Sequence, residues 1–75
     1  MVLQKLTYLL SDRYGCDPED VVMAASLDDL NITDDERYDV ATLLWEMYIP
    51  AALPDDFPPF ETVEDLVGFI EDRMG

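Results

Sequence analysis

Histidine is absent from this sequence, cysteine occurs once, and only four residues carry a positive charge. Because Cys16 is the sole thiol, the chain cannot form an internal disulfide. Without histidine it also cannot form a Cys/His metal site. No imidazole is available to activate the Cys16 thiol as a nucleophile. The sequence also has no apolar run long enough to span a bilayer and no signal-peptide pattern. We therefore expect a soluble, cytoplasmic protein.

The charge of the chain is strongly one-sided. Eighteen acidic residues face four basic ones, which gives a formal net charge of −14. Phosphate-backbone binding requires clustered Lys and Arg, so a nucleic-acid partner is excluded. An acidic protein attracts basic surfaces, and we expect a protein partner of that kind and no membrane association. Solubility alone is the alternative explanation of the acidity.

The length and hydrophobicity of the chain predict one small folded domain. Hydrophobic residues make up 49% of the 75 residues, too many for a disordered acidic tail. A chain of this size has room for one core, so residues 1–75 are expected to form a single domain. With metal and disulfide excluded, stability must come from helix packing.

The first part of the chain predicts a helix followed by a short turn. Apolar residues recur at helical spacing over residues 2–14, and Gly15 suits the left-handed position that closes such a helix. Asp17 is a predicted N-cap of a short helical turn, after which Val21 and Val22 are expected to point inward. The apolar positions of the first helix are Leu3, Leu6, Leu9, Leu10 and Tyr14.

Two longer helices are predicted downstream. Thr33 and Glu36 form a capping box, which opens a helix that continues to about Ile49. Thr62 is the predicted N-cap of the last helix. The expected inward positions are Val40, Ala41, Leu44, Met47 and Tyr48 in the long helix, then Val63, Leu66, Val67 and Ile70, with Phe69 at the edge. The predicted fold class is all-α, with three main helices and one short turn-like helix.

The order of these features resembles that of an acyl carrier protein over nearly the whole chain. The matching segments are Tyr14-Gly15, Pro18-Glu19-Asp20-Val21, Ala25-Ser26-Leu27, Asp29-Leu30 and Leu53-Pro54-Asp55-Asp56. The resemblance implies an acyl-carrier-like bundle of three main helices. It also implies a 4′-phosphopantetheine arm on the serine of an Asp-Ser-Leu motif at the start of the second main helix, which here is the helix that Thr33 opens.

The attachment motif is where the sequence departs from that family. Thr33, Asp34 and Asp35 stand in the places of Asp, Ser and Leu. A carboxylate does not form the phosphodiester to the arm, so we expect no 4′-phosphopantetheine here. The alternative is a carrier in fatty-acid or polyketide-type metabolism that is modified at an unorthodox hydroxyl, either Ser26 in mid-loop or Thr33 at the cap.

Metal binding and catalysis are the next alternatives. An EF-hand loop starting at Asp29 would need glycine at position 34 and glutamate at position 40, where the chain has Asp34 and Val40. Carboxylates at a helix N-terminus are stabilising even without a metal, so we expect no bound metal ion. We also expect no enzyme activity. Acid–base catalysis by two carboxylates requires a pocket that gives them different pKa values, and so small a helical chain has little room for such a pocket. The acidic cluster considered as oxygen ligands comprises Asp28, Asp29, Asp34, Asp35 and Glu36.

The long central helix carries the predicted partner-binding surface, in which acidic residues surround two aromatic anchors. Its residues are Asp34, Asp35, Glu36, Tyr38, Asp39, Trp45 and Glu46. Tyr38, Trp45 and Ile49 share a stripe that could also form a homodimer contact. The alternative is that a loop or the proline-rich segment 54–60 folds over Trp45 and buries it. An acidic inhibitor or immunity-type protein is a further reading of the same surface.

Overall fold

A computed structural model describes residues 2–74, and its regular secondary structure is helical. The elements are α1 (Val2–Tyr14), a 3₁₀ turn (Pro18–Asp20), α2 (Asp34–Tyr48) and α3 (Val63–Met74). Residues 2–74 contain no strand, and one isolated antiparallel bridge pairs Ser26 with Thr62. The predicted all-α class, with three helices and one short turn, is confirmed.

The ends of α1 and of the 3₁₀ turn are set by local chemistry that the sequence predicted. Gly15 has φ 71°, a left-handed conformation that glycine adopts without steric cost, and its N–H donates to the Ser11 carbonyl at 3.1 Å. The Asp17 carboxylate accepts the Glu19 N–H at 3.0 Å and caps the 3₁₀ turn.

Helices α2 and α3 each begin with a reciprocal capping pair. The Thr33 hydroxyl accepts the Glu36 N–H at 3.3 Å, and the Glu36 carboxylate accepts the Thr33 N–H at 2.9 Å. The start of α3 repeats this arrangement with a shorter acid: the Thr62 hydroxyl accepts the Asp65 N–H, and Asp65 accepts the Thr62 N–H. These bonds satisfy backbone donors that a helix N-terminus otherwise leaves unpaired.

All three helices pack against one another around a common core. Fully buried side chains include Leu6, Leu10, Leu27, Leu44, Leu66 and Ile70. Burying one such side chain contributes roughly 1.5–3 kcal/mol. Helix packing therefore stabilises this small chain without a disulfide, as its single cysteine requires.

Two of the predicted inward positions are wrong. Met47 and Val22 are each 51% exposed. The connecting segment 50–61 and α3 cover the Trp45 side of α2, so the buried face is rotated away from Met47, which lies at the opposite edge. Val21 is buried where the chain leaves the 3₁₀ turn, and in non-helical backbone its neighbour Val22 points the other way.

The loop before α2 is fastened to the segment before α3. The Leu27 N–H donates to the Glu61 carbonyl at 2.9 Å, and the Val63 N–H donates to the Ala25 carbonyl at 3.0 Å. These bonds place the first turn of α2 beside residues 60–62. Between residues 2 and 74, every helix falls short of the length and apolarity that crossing a membrane requires.

Candidate functional site

Arg37, in the first part of α2, is a buried charged residue that joins three segments of the chain. Only 6% of its surface is exposed. Its Nε donates to the Ile32 carbonyl at 3.0 Å and its Nη1 to the Phe60 carbonyl at 2.7 Å. Nη2 forms an ion pair with Asp28, and Asp34 lies 3.6 Å from Nη1. Every nitrogen of the guanidinium has a partner, and these contacts offset the desolvation penalty of burying its charge.

An open pocket of about 370 Å³ lies over Arg37. Its polar lining is Asp28, Asp34, Arg37 and Glu61, and its apolar walls are Tyr38, Pro59 and Phe60. The volume is at the lower end of the range for small-ligand sites. Three carboxylates against one guanidinium leave this lining with an excess of negative charge.

A second pocket, of about 270 Å³, shares Tyr38 with the first. Its other lining residues are Asp55, Asp56 and Phe57, so it is also acidic. The Tyr38 ring stacks on Phe57, with ring centroids 6.2 Å apart and an angle of 19° between planes. It also contacts Phe60 at 6.2 Å. These two phenylalanines hold Tyr38 in place, and 37% of its surface remains exposed.

Three carboxylates form an exposed row along α2, which we call the acidic stripe: Asp35, Asp39 and Glu46. At 3.6 residues per turn they lie within roughly 40° of one another around the helix axis and extend over about 16 Å. The other two predicted acidic contacts have structural partners. Asp34 lies beside Arg37, and half-buried Glu36 closes the cap of α2.

Trp45 is covered by the chain itself, so it offers no exposed aromatic anchor. It is 7% exposed, its Nε1–H donates to the Ala51 carbonyl at 2.9 Å, and its ring lies 6.0 Å from that of Phe69. Ile49 is also 7% exposed. Of the two alternatives for this side chain, coverage holds. Of the predicted Tyr38–Trp45–Ile49 stripe, only Tyr38 is accessible to a partner or a second copy.

The two residues considered for modification are both held in the structure before or at the start of α2. Ser26 is half-buried, lies in the loop before α2 and pairs through its backbone with Thr62. The Thr33 hydroxyl caps α2. Asp34 is the first residue of α2, immediately after this cap, and its carboxylate does not fit the attachment of a phosphopantetheine arm.

The Cys16 thiol and the possible metal ligands are the remaining groups with potential chemistry. Burial raises the pKa of the Cys16 thiol, and the nearby charges of Asp20 and Glu36 raise it further. The thiol donates to the Leu30 carbonyl at 3.7 Å, and its raised pKa disfavours the thiolate form. Among residues 2–74, no three Cys, Asp or Glu side chains are grouped so that they could hold a metal ion.

Arg37 is the residue of this site that the sequence pattern did not single out. A signal for it existed, because residues 37, 40, 41 and 44 have the spacing of one helical face and the other three are apolar. A charged residue on an apolar face predicts a buried and fully paired group.

In comparisons with protein-family models and with curated proteins, no family and no protein matches this sequence.

Proposed function

We propose that this protein is an acidic interaction module, built like an acyl carrier protein but without the prosthetic-group serine, that docks onto a basic surface of a partner protein through α2. The acidic stripe of Asp35, Asp39 and Glu46 is the observation that carries the proposal. Its three carboxylates are exposed on one helix face. Within the described residues, the ion pairs are those of Arg37 with Asp28 and Asp34, so the stripe faces solvent without a basic neighbour in salt-bridge contact.

Tyr38 supplies the apolar contact of this surface. It lies beside the stripe on α2, is partly exposed, and is held by Phe57 and Phe60. A rigid aromatic ring contributes contact area with little loss of conformational freedom on binding. The carboxylates would speed the encounter with a basic partner, and the ring would slow its release.

The test compares two triple variants of equal charge. The stripe variant is Asp35→Asn, Asp39→Asn and Glu46→Gln; the control is Asp12→Asn, Glu71→Gln and Asp72→Asn, all exposed positions on α1 and α3. Association and dissociation rates would be measured for a partner isolated from the native cell, at low and high salt. We expect the stripe variant to lose most of its salt-dependent association rate, and the control to lose little. Equal losses would show that only net charge matters and would retire α2 as the docking surface.

A carrier role is tested separately by mass. Incubation with a phosphopantetheinyl transferase and coenzyme A is expected to leave the mass of the protein unchanged. The Asp34→Ser variant places a hydroxyl at the first residue of α2 and is expected to gain one arm. A phosphopantetheine arm on the native protein would overturn the proposal in favour of a working carrier.

A further inference from the structure

We propose that the two pockets that meet at Tyr38 receive two neighbouring cationic side chains from one segment of the partner, with an arginine in the larger pocket. This inference rests on the proposed docking function and adds the chemistry of the partner. The pockets hold about 370 and 270 Å³ and share the Tyr38 ring. A partner that fills both must therefore present two basic groups close together.

The charge of the larger pocket favours a cation over an anion. Asp28, Asp34 and Glu61 against Arg37 give its lining a formal charge of −2. Arg37 is not free to bind an anion, because its side chain is 8% exposed and donates to Ile32, Phe60 and Asp28. An anionic ligand would have to displace Asp28 and would face the remaining carboxylates, whereas a cation meets an excess of negative charge.

The walls of the larger pocket favour arginine over lysine. A guanidinium is planar, stacks on an aromatic face and gives two parallel N–H donors to one carboxylate. The partly exposed ring of Tyr38 and the exposed side chain of Glu61 line the same space. An ammonium can meet the carboxylates but cannot stack as a plane on the ring.

The smaller pocket supplies the second position. Asp55 and Asp56 are exposed and line it together with Phe57, and it contains no basic residue. Its formal charge is therefore also −2. The Tyr38 ring, which stacks on Phe57 of the smaller pocket, also lines the larger pocket, so the two pockets are adjacent.

A short dibasic peptide tests the pockets directly. The probe is the acetylated tetrapeptide amide glycine–arginine–arginine–glycine, titrated into the ¹⁵N-labelled protein and followed by NMR. Two matched probes replace both arginines with citrulline, which has no charge, or with lysine. We expect saturable shifts centred on Tyr38, Phe57 and Glu61, weaker binding of the lysine peptide and none of the citrulline peptide.

Variants of the rim make the test quantitative while leaving the core intact. We expect Tyr38→Leu to weaken diarginine binding about fivefold, the order of one cation–aromatic contact. Glu61→Gln and Asp56→Asn are each expected to weaken it at least twofold, from about one unit of rim charge. The control Asp72→Asn removes the same charge from the end of α3 and should change the affinity little.

The outcomes separate this inference from the proposed function. Shifts confined to Asp35, Asp39 and Glu46 would overturn the pockets and leave docking through α2 in place. Three other outcomes would also overturn the inference that the pockets bind cationic side chains. They are equal weakening by Asp72→Asn, equal binding of the citrulline peptide, and no saturable shift with the diarginine peptide. Pocket binding combined with a native partner that is indifferent to the acidic stripe would sink the proposed function alone.

Discussion

The Nη1 of Arg37 donates a hydrogen bond to the backbone carbonyl of Phe60, 2.7 Å away and 23 residues later in the chain. This bond ties the connecting segment 50–61 to the first turns of α2. The same guanidinium holds the loop before α2 through the Ile32 carbonyl. Arg37 thus forms the floor of the larger pocket and also holds together the segments that surround it.

Replacing Arg37 is expected to destabilise the fold. Arg37→Met keeps much of the apolar volume but leaves the Ile32 and Phe60 carbonyls without their donor. Asp28 and Asp34 have side chains that are 86% exposed, so water would solvate their freed charges. The loss should therefore come mainly from the two carbonyls, about 2–3 kcal/mol in the free energy of unfolding. Urea denaturation measures this change.

Arg13→Met is the matched control for that substitution. Arg13 is exposed on α1, and its replacement should change the free energy of unfolding by less than about 0.5 kcal/mol. If Arg37→Met costs no more than Arg13→Met, the three hydrogen bonds of Arg37 do not hold the segments together.

The burial of Trp45 can be measured by fluorescence quenching, because it is the only tryptophan in the chain. With 7% of its surface exposed and its Nε1–H bonded to Ala51, acrylamide should quench the native protein several-fold less than the urea-unfolded protein. Phe69→Leu removes the neighbouring ring and should increase quenching in the native state. Native quenching as strong as that of the unfolded chain would mean that Trp45 is uncovered.

The cap of α3 is expected to contribute a pH-dependent part of stability. Backbone N–H donors from Glu61 and Thr62 lower the pKa of Asp65 from its ordinary value of 3.8. The stabilisation is fully present above the unfolded-state pKa and is lost as the pH falls through the lower folded-state pKa. Asp65→Asn should therefore be less stable than the native protein at pH 7, and the gap should narrow below about pH 4.

Glu64→Gln is the control for this pH series, since it removes one negative charge from the same turn of α3. Chemical denaturation of the three proteins between neutral and acidic pH separates the cap from a general charge effect. A gap between Asp65→Asn and the native protein that stays constant over this range would contradict the assigned bonds.

Added salt should raise the melting temperature at neutral pH. The formal charge of −14 makes the folded chain repel itself, and salt screens exposed charges beyond about 10 Å at 0.1 M. We expect a rise of several degrees between low salt and 0.5 M sodium chloride, measured by circular dichroism. The neutralised triple variant Asp12→Asn, Glu71→Gln and Asp72→Asn should respond less. A melting temperature that ignores ionic strength would show that self-repulsion is negligible.

The boundaries of the helices followed from local sequence because their causes are local. Gly15 closes α1, and the Thr33–Glu36 pair opens α2 at the predicted residue. The environment of Arg37 depended on carbonyls of Ile32 and Phe60, which the helix periodicity of α2 does not reveal.

The face of α2 that is buried was also decided by distant segments. Trp45 is covered by Ala51 and by Phe69 of α3, and this coverage turns Met47 to the solvent. Helical spacing alone had assigned Met47 to the core and Trp45 to the partner-binding surface, the reverse of what the structure shows. That choice required the path of the connecting segment.

The prolines of the connecting segment have a consequence for the thermodynamics of folding. Four of the five prolines in the chain, at positions 50, 54, 58 and 59, lie in this irregular stretch. Each one restricts the backbone of the denatured chain, so less conformational entropy disappears when the stretch becomes ordered. The packing of the Phe57 and Phe60 rings therefore has to offset a smaller loss of conformational entropy. The connecting segment has no regular secondary structure, yet its prolines make its backbone stiff before the chain folds.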